Sequence, residues 1–341
     1  MFSKDQYSLI DFGNGRRLER FGPLVLDRPC PGANGFQIKN RQAWQKADAR
    51  FEDRRGVNRF EVSKNVSNAL GFRGIWRPLT DRGELYFGVE QKRERSQDQD
   101  VDKVSGRPWT ISYNNKFVLE LKGSPFGHVG VFPEQAENWD RIFDLCHNGC
   151  ERLQRPLRIL NLFGYTGGSA LAAMAAGAET THLDAARNVV AQAKRNAALS
   201  FQSGEKDLVL APVRWIVDDA VKFVKREIKR ERFYDGVILD PPSYGHGARG
   251  EVWRLSRDLK PLLDKIMKLL SGEFCFVALS GHTPGYEAPV LERMLRIAFQ
   301  ENFTSTKDIK YHTKTLGIQS QNGSTLYSGD ISFAYGEVKR D

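Results

Sequence analysis

From about residue 126 to residue 279, short apolar runs alternate with stretches whose apolar residues recur every three or four positions. The runs 157–163, 180–183, 213–217, 236–239 and 274–279 are too short for helices and are bounded by turn signals, so they predict buried strands. Between them, 168–177, 185–199, 220–230 and 255–270 predict helices. The first is alanine-rich and stops at Gly177; the second carries Val189, Val190, Ala193 and Ala197 on one side, and the third Val221, Val224 and Ile228. This alternation argues for an α/β fold, a parallel sheet with helices on both faces. Ligands of such sheets bind just past the carboxyl ends of the strands, near the switch in strand order. The residues that follow each strand are therefore the candidates for chemistry.

Residues 1–125 lack this alternation and read as a smaller β-rich N-terminal domain, with 126–341 as the second domain. Leu24-Val25-Leu26, Leu85-Tyr86-Phe87-Gly88-Val89 and Lys116-Phe117-Val118-Leu119-Glu120-Leu121 are its strand candidates. Gly13-Asn14-Gly15, Arg28-Pro29-Cys30-Pro31-Gly32 and Asp81-Arg82-Gly83 are its turn signals. The run 91–103 is almost entirely polar and reads as an exposed loop.

Composition narrows the partners. The 341 residues carry a formal net charge of +9, which favours a polyanionic partner such as RNA, the other reading being simply a basic cytoplasmic protein. Candidate phosphate contacts are Arg93 and Arg95, and the segment with Lys222, Lys225, Arg226, Lys229, Arg230 and Arg232, whose other reading is a solvated helix face. Trp76 and Trp109 could stack bases or fill a core. Cys146 and Cys150 are one helical turn apart with His147 between them, which is too few sulfurs for a closed zinc site, so no metal is expected. No signal peptide and no apolar run of about 18 residues is visible, so the reading is cytoplasmic, with no membrane partner and the homo-oligomeric state open.

After the first of the five strands stands Asn161-Leu162-Phe163-Gly164-Tyr165-Thr166-Gly167-Gly168, whose glycines permit a sharp turn into a helix and close approach of a ligand. Asp184, after the second strand, can accept hydrogen bonds from both hydroxyls of an adenosine ribose. NAD and S-adenosylmethionine share that ribose, but the dinucleotide pattern G-x-G-x-x-G is missing. After the third strand, Asp219 either reaches an adenine amine or caps the next helix. After the fourth comes Asp240-Pro241-Pro242-Ser243-Tyr244-Gly245. Two prolines fix the backbone and remove two donors, leaving a rigid corner of acceptors beside the carboxylate, and Tyr244 offers a stacking face for a planar base.

These residues, with Gly127-His128-Val129-Gly130-Val131-Phe132-Pro133-Glu134-Gln135 upstream, resemble the class I S-adenosylmethionine-dependent methyltransferases. The likeness is to bacterial 23S rRNA (large-subunit) methyltransferases and their relatives without a PUA module, and covers about 126–335. It implies a Rossmann-like sheet and S-adenosyl-L-methionine as cofactor. It also implies that Phe163, Gly164, Tyr165, Thr166 and Gly167, after Asn161, wrap the methionine part. Asp184 would hold the ribose and Asp219 the adenine, with Phe132 and Gln135 closing the pocket. Asp240, Pro241 and Tyr244 would serve the acceptor. Two departures matter. Ala136 stands where the family has arginine, and the place after the fifth strand reads Ala278-Leu279-Ser280-Gly281-His282, without the cysteine that cytosine-5 chemistry needs. A nitrogen acceptor on an RNA base is favoured, against a small molecule, a protein, or an idle RNA-binding module. His128 and His282 are either bases or structural donors.

Overall fold

The structure is a computed structural model that describes residues 2–53, 74–88, 108–202, 211–247, 250–273 and 276–336. Arg93, Arg95, the run 91–103 and Cys275 lie outside the described residues. The chain divides into two compact units, Met1–Pro133 with Gly317–Tyr327, and Glu134–Leu316 with Ser328–Asp341. The sequence pattern set the boundary at 125/126. The structure sets it after Pro133 and returns 317–327 to the first unit, a step no composition change announces.

The first unit is β-rich. Strands β1 (Tyr7–Gly13), β2 (Arg16–Phe21), β3 (Leu24–Pro29), β4 (Ala49–Asp53) and β5 (Gly74–Pro78) form one sheet in that order, and β6 (Thr110–Tyr113) pairs antiparallel with β7 (Phe117–Glu120). Trp76 and Trp109 are buried, and their indole N–H groups donate to the carbonyls of Ser124 and Phe21, so they fill the core and present no stacking face. A short helix α1 (Arg41–Trp44) follows β3.

Leu85-Tyr86-Phe87 is not a strand. It ends helix α2 (Asp81–Phe87), whose first turn holds the Asp81-Arg82-Gly83 signal. Thr80 decides this: its side chain accepts the Gly83 N–H at 3.1 Å, and Asp81 and Glu84 place negative charge at the helix start. The Thr80 hydroxyl also donates to buried Asp48 at 2.8 Å. Thr80→Ala is expected to destabilise this unit by about 1–2 kcal/mol, measured by urea unfolding.

The second unit contains a seven-stranded sheet among the described residues. Its strands are β8 (Arg158–Leu162), β9 (Glu179–Asp184), β10 (Val213–Val217), β11 (Gly236–Leu239), β14 (Phe276–Gly281), β15 (Lys310–Gln319) and β16 (Thr325–Tyr335), in the order β10-β9-β8-β11-β14-β16-β15. A small antiparallel pair, β12 (Tyr244–His246) and β13 (Val252–Arg254), stands beside it. Strands β8 to β11 and β14 are mutually parallel, as read from the sequence, but β16 runs antiparallel to β14, so the sheet is mixed.

The helices α3 (Ala136–Leu153), α4 (Gly168–Ala175), α5 (Arg187–Gln202), α6 (Ala220–Lys229), α7 (Leu255–Met267) and α8 (Ala288–Asn302) cover the sheet. Strand alternation sorts them. Leu160, Leu162, Val237, Leu239, Val277 and Leu279 join one core with residues of α6, α7 and α8. Ile159, Asn161 and Ile238 point to the other face, where α3, α4 and α5 lie. In α3, Cys146 is buried and Cys150 accepts the Leu157 N–H through sulfur. No helix of the described residues is long and apolar enough to cross a membrane.

Candidate active site

The register of the parallel strands places the candidate residues in one row. Leu162, Leu183, Ile216, Leu239 and Leu279 are aligned across β8, β9, β10, β11 and β14. One residue further on stand Phe163, Asp184, Val217, Asp240 and Ser280, on strands about 4.8 Å apart. Strand order reverses between β8 and β11, which opens a crevice there.

On one side of the crevice the chain leaves β8 through a strained turn. Phe163 (φ 56°), Tyr165 (φ 49°) and Gly167 (φ 93°) all have left-handed backbones. Two of the three are not glycine, a feature that concentrates at functional sites. Gly164 is required by what lies beneath it: a Cβ there would stand 2.5 Å from His182 and 2.7 Å from Asn161. Both side chains are buried, and burial pushes His182 down to about 4, so it is neutral. Gly168 likewise lets α4 close on Trp139 of α3, 2.6 Å from its would-be Cβ. The Thr166 carbonyl accepts from buried Asn196 at 2.8 Å. The Phe163 ring packs 4.9 Å from that of Trp253.

Asp184 ties this turn to β9. It accepts the Tyr165 N–H at 3.0 Å and the Ala186 N–H at 2.9 Å. Burial raises its carboxyl above the ordinary value, against the pull of these N–H groups. Asp219 caps α6 through the Lys222 N–H at 2.8 Å, and Asp218 pairs with Arg226.

On the other side of the crevice, Asp240 faces two donors that the sequence did not connect. His282 Nε2 lies 2.9 Å from its Oδ1, and Gln135 Nε2 lies 3.4 Å from its Oδ2. Gln135 is buried and accepts from Asn138 Nδ2 at 2.6 Å. Of the two proline carbonyls read as free acceptors, that of Pro242 is taken by the Trp253 indole N–H at 2.7 Å; that of Pro241 has no partner among the described residues. Tyr244, in β12, is half-buried with its hydroxyl 3.4 Å from His246. Phe132 and His128 lie in the first unit, their rings 5.3 Å apart.

The S-adenosylmethionine-dependent methyltransferase family matches residues 145–298. Ribosomal RNA large subunit methyltransferase K/L of Shewanella sp. (strain MR-4) is 32% identical over 197 residues, 55% of this chain and 25% of that protein. The enzyme of the same description from Shewanella frigidimarina is 29% identical over 193 residues. The chain thus spans about a quarter of the length of these curated relatives. Among solved structures, the SAM-dependent methyltransferase from Agrobacterium tumefaciens superposes with a TM-score of 0.74 and 30% identity, covering 97% of this chain and 90% of that one. The chain belongs to the S-adenosylmethionine-dependent methyltransferases.

For a methyltransferase the crevice has apt chemistry. Its cofactor is S-adenosylmethionine, a cation at sulfur, and the strand ends present Asp184, Asp218, Asp219 and Asp240. Glu134 adds a buried carboxylate whose Oε2 has no hydrogen-bond partner among the described residues. Sequence reasoning missed Asn138 and Trp139 because α3 falls before the first strand it read, and it quoted Glu134 within a motif without giving it a role.

Proposed function

We propose that this methyltransferase modifies an RNA base, in rRNA, at a nitrogen atom, in the cytoplasm. The observation that carries the reading is the Asp240-Pro241-Pro242 corner just past β11, where the prolines supply carbonyl acceptors and no N–H donor. Such a corner suits a nitrogen that bears hydrogen. Cytosine-5 chemistry would need a thiolate, and the strand end offers Ser280, Gly281 and His282. The rRNA substrate of the Shewanella relatives supports RNA as the acceptor class.

The donor set fits the cofactor. Asp184 keeps lone pairs for two ribose hydroxyls, Asp219 stands at the next strand end for adenine, and the Phe163–Gly167 turn brings backbone close to the methionine part. Gln135 stands beside the corner; Phe132 is carried over from the family likeness alone. When bound, S-adenosylmethionine supplies a methyl carbon on a cationic sulfur. Asp240 and the Pro241 carbonyl hold the acceptor N–H groups so that the nitrogen lone pair points at that carbon, and Tyr244 stacks on the base. Transfer of that methyl group to the held nitrogen would release the cofactor as neutral S-adenosylhomocysteine. The proton of the methylated nitrogen then leaves to Asp240 or water. Little charge has to be stabilised, so positioning carries the rate, with roughly 7–11 kcal/mol available to it.

The basic segment on α6 contributes less to RNA than its sequence suggests. Arg226 pairs with Asp218, Lys222 with Glu251, and Arg214, Arg230 and Arg232 surround the buried Glu227 carboxylate. Lys225 and Lys229 remain without an ion pair among the described residues. The test is transfer of labelled methyl to rRNA from a strain that lacks the protein, followed by nucleoside mass spectrometry. One N-methylated nucleoside is expected. Label appearing only in small molecules or protein would refute the RNA reading.

A further inference from the structure

We propose that His282 is a positioning residue for methyl transfer: through Asp240 it fixes the plane of the carboxylate that holds the acceptor nitrogen. This rests on the reading of Asp240 given above. The end of β11, a carbonyl within β16 and the start of α3 converge on the imidazole, which itself follows β14. Nε2 faces Asp240 Oδ1, beyond β11, at 2.9 Å, and Nδ1 lies 3.1 Å from the Ser328 carbonyl on β16. The amide nitrogen of Gln135, at the start of α3, stands 3.4 Å from both Nε2 and Asp240 Oδ2. The Ser243 and Thr283 hydroxyls, 2.6 Å apart, tie the loops after β11 and β14 together beside the pair.

The seat of the ring is built into the backbone. Gly329 on β16 has φ +145°, and a Cβ there would lie 2.4 Å from His282 Nδ1 and 2.8 Å from Cε1. A side chain at 329 would therefore drive the imidazole off the Ser328 carbonyl. With both ring nitrogens facing oxygen acceptors, the geometry favours the doubly protonated imidazolium.

Among the described residues, the charged groups that act on His282 are the carboxyl groups of Asp240 and Glu134. Partial burial disfavours the cation, but the Asp240 charge and hydrogen bond, the Ser328 carbonyl and Glu134 outweigh it and push the imidazole up to about 9. At neutral pH His282 is thus a donor and not a base. As a donor it holds the Asp240 carboxylate in one orientation, and Asp240 in turn orients the acceptor nitrogen. The imidazolium is present below its raised value and disappears as pH rises through about 9, so activity should fall over that range.

The experiment compares wild type, His282→Ala, His282→Gln and Gly329→Ala in kcat, KM for RNA, affinity for S-adenosylhomocysteine and pH profile. It adds NMR titration of the His282 ring in wild type and Asp240→Asn. His282→Ala and Gly329→Ala are expected to keep S-adenosylhomocysteine affinity within about twofold while kcat falls roughly 10- to 100-fold, the cost of about 1 Å of misplacement. His282→Gln, a neutral donor, should recover part of the rate and lose the alkaline limb. The wild-type ring should titrate near 9 and fall toward the ordinary histidine value in Asp240→Asn. Wild-type kcat in His282→Ala, an unshifted alkaline limb in His282→Gln, or an ordinary wild-type titration overturns the proposal. If wild type methylates no RNA, the substrate reading fails, while the ring titration still decides whether His282 and Asp240 are coupled.

Discussion

Asp240→Ala is expected to lower the rate of methyl transfer roughly 100- to 1000-fold or more while S-adenosylhomocysteine binds nearly as before. The carboxylate makes no hydrogen bond to the Phe163–Gly167 turn or to Asp184. Its partners are His282 and Gln135, on the other side of the crevice. Removing it therefore spares the groups assigned to the cofactor and strips the corner of its charged acceptor, leaving the Pro241 carbonyl alone. Asp240→Asn keeps one acceptor oxygen but loses the charge that holds His282 protonated, so it should retain intermediate activity. A single-turnover rate with labelled cofactor, set beside calorimetry with S-adenosylhomocysteine, separates the two effects. An affinity loss as large as the rate loss would place Asp240 in the cofactor pocket instead.

The strands that carry these residues were readable because a buried parallel strand leaves a short, uninterrupted apolar run, as in Leu157–Phe163 and Gly236–Leu239. The carboxylates after them were readable for the same reason: a strand end fixes where its next residue stands. What escaped was set by contacts between segments distant in sequence. The Leu85–Phe87 stretch has strand-like composition, yet Thr80, itself held by Asp48, caps the helix that this stretch ends. Strand β16 runs against its neighbours, and β15 and β16 lie beyond the alternating region from which a parallel sheet was inferred. The basic residues of α6 looked like a phosphate surface until the fold set Asp218, Glu227 and Glu251 beside them. The partnership of His282 with Asp240 spans 42 positions and depends on a glycine a further 47 along, so no local pattern could show it. Histidine 128, weighed equally with it, lies in the other unit.

Asp184→Ala should show the opposite profile to Asp240→Ala, with the cofactor lost first. The side chain is assigned two ribose hydroxyls. A hydrogen bond to a charged acceptor contributes roughly 1.5–3 kcal/mol, so two correspond to about 150- to 20,000-fold in affinity. The upper part of that range is the better expectation, because Asp184 also accepts the Tyr165 and Ala186 N–H groups. Without it, the left-handed Tyr165 loses the bond that holds its turn, and the cradle loosens along with the ribose contacts. Protonation should act as a milder form of the same substitution. The hydroxyls donate to the ionised carboxylate, and burial raises the carboxyl above its ordinary value. Affinity for S-adenosylmethionine should therefore be full above that raised value and fall as the pH drops through it, at higher pH than an ordinary aspartate would give. Calorimetric titration of S-adenosylhomocysteine across the acid range, in wild type and in Asp184→Asn, measures this. The variant should bind weakly throughout, with the acid limb gone. Wild-type affinity in Asp184→Ala would remove Asp184 from the pocket and the ribose with it. Saturating cofactor should restore most of the turnover to Asp184→Ala and none to Asp240→Ala, since only the first defect lies in occupancy.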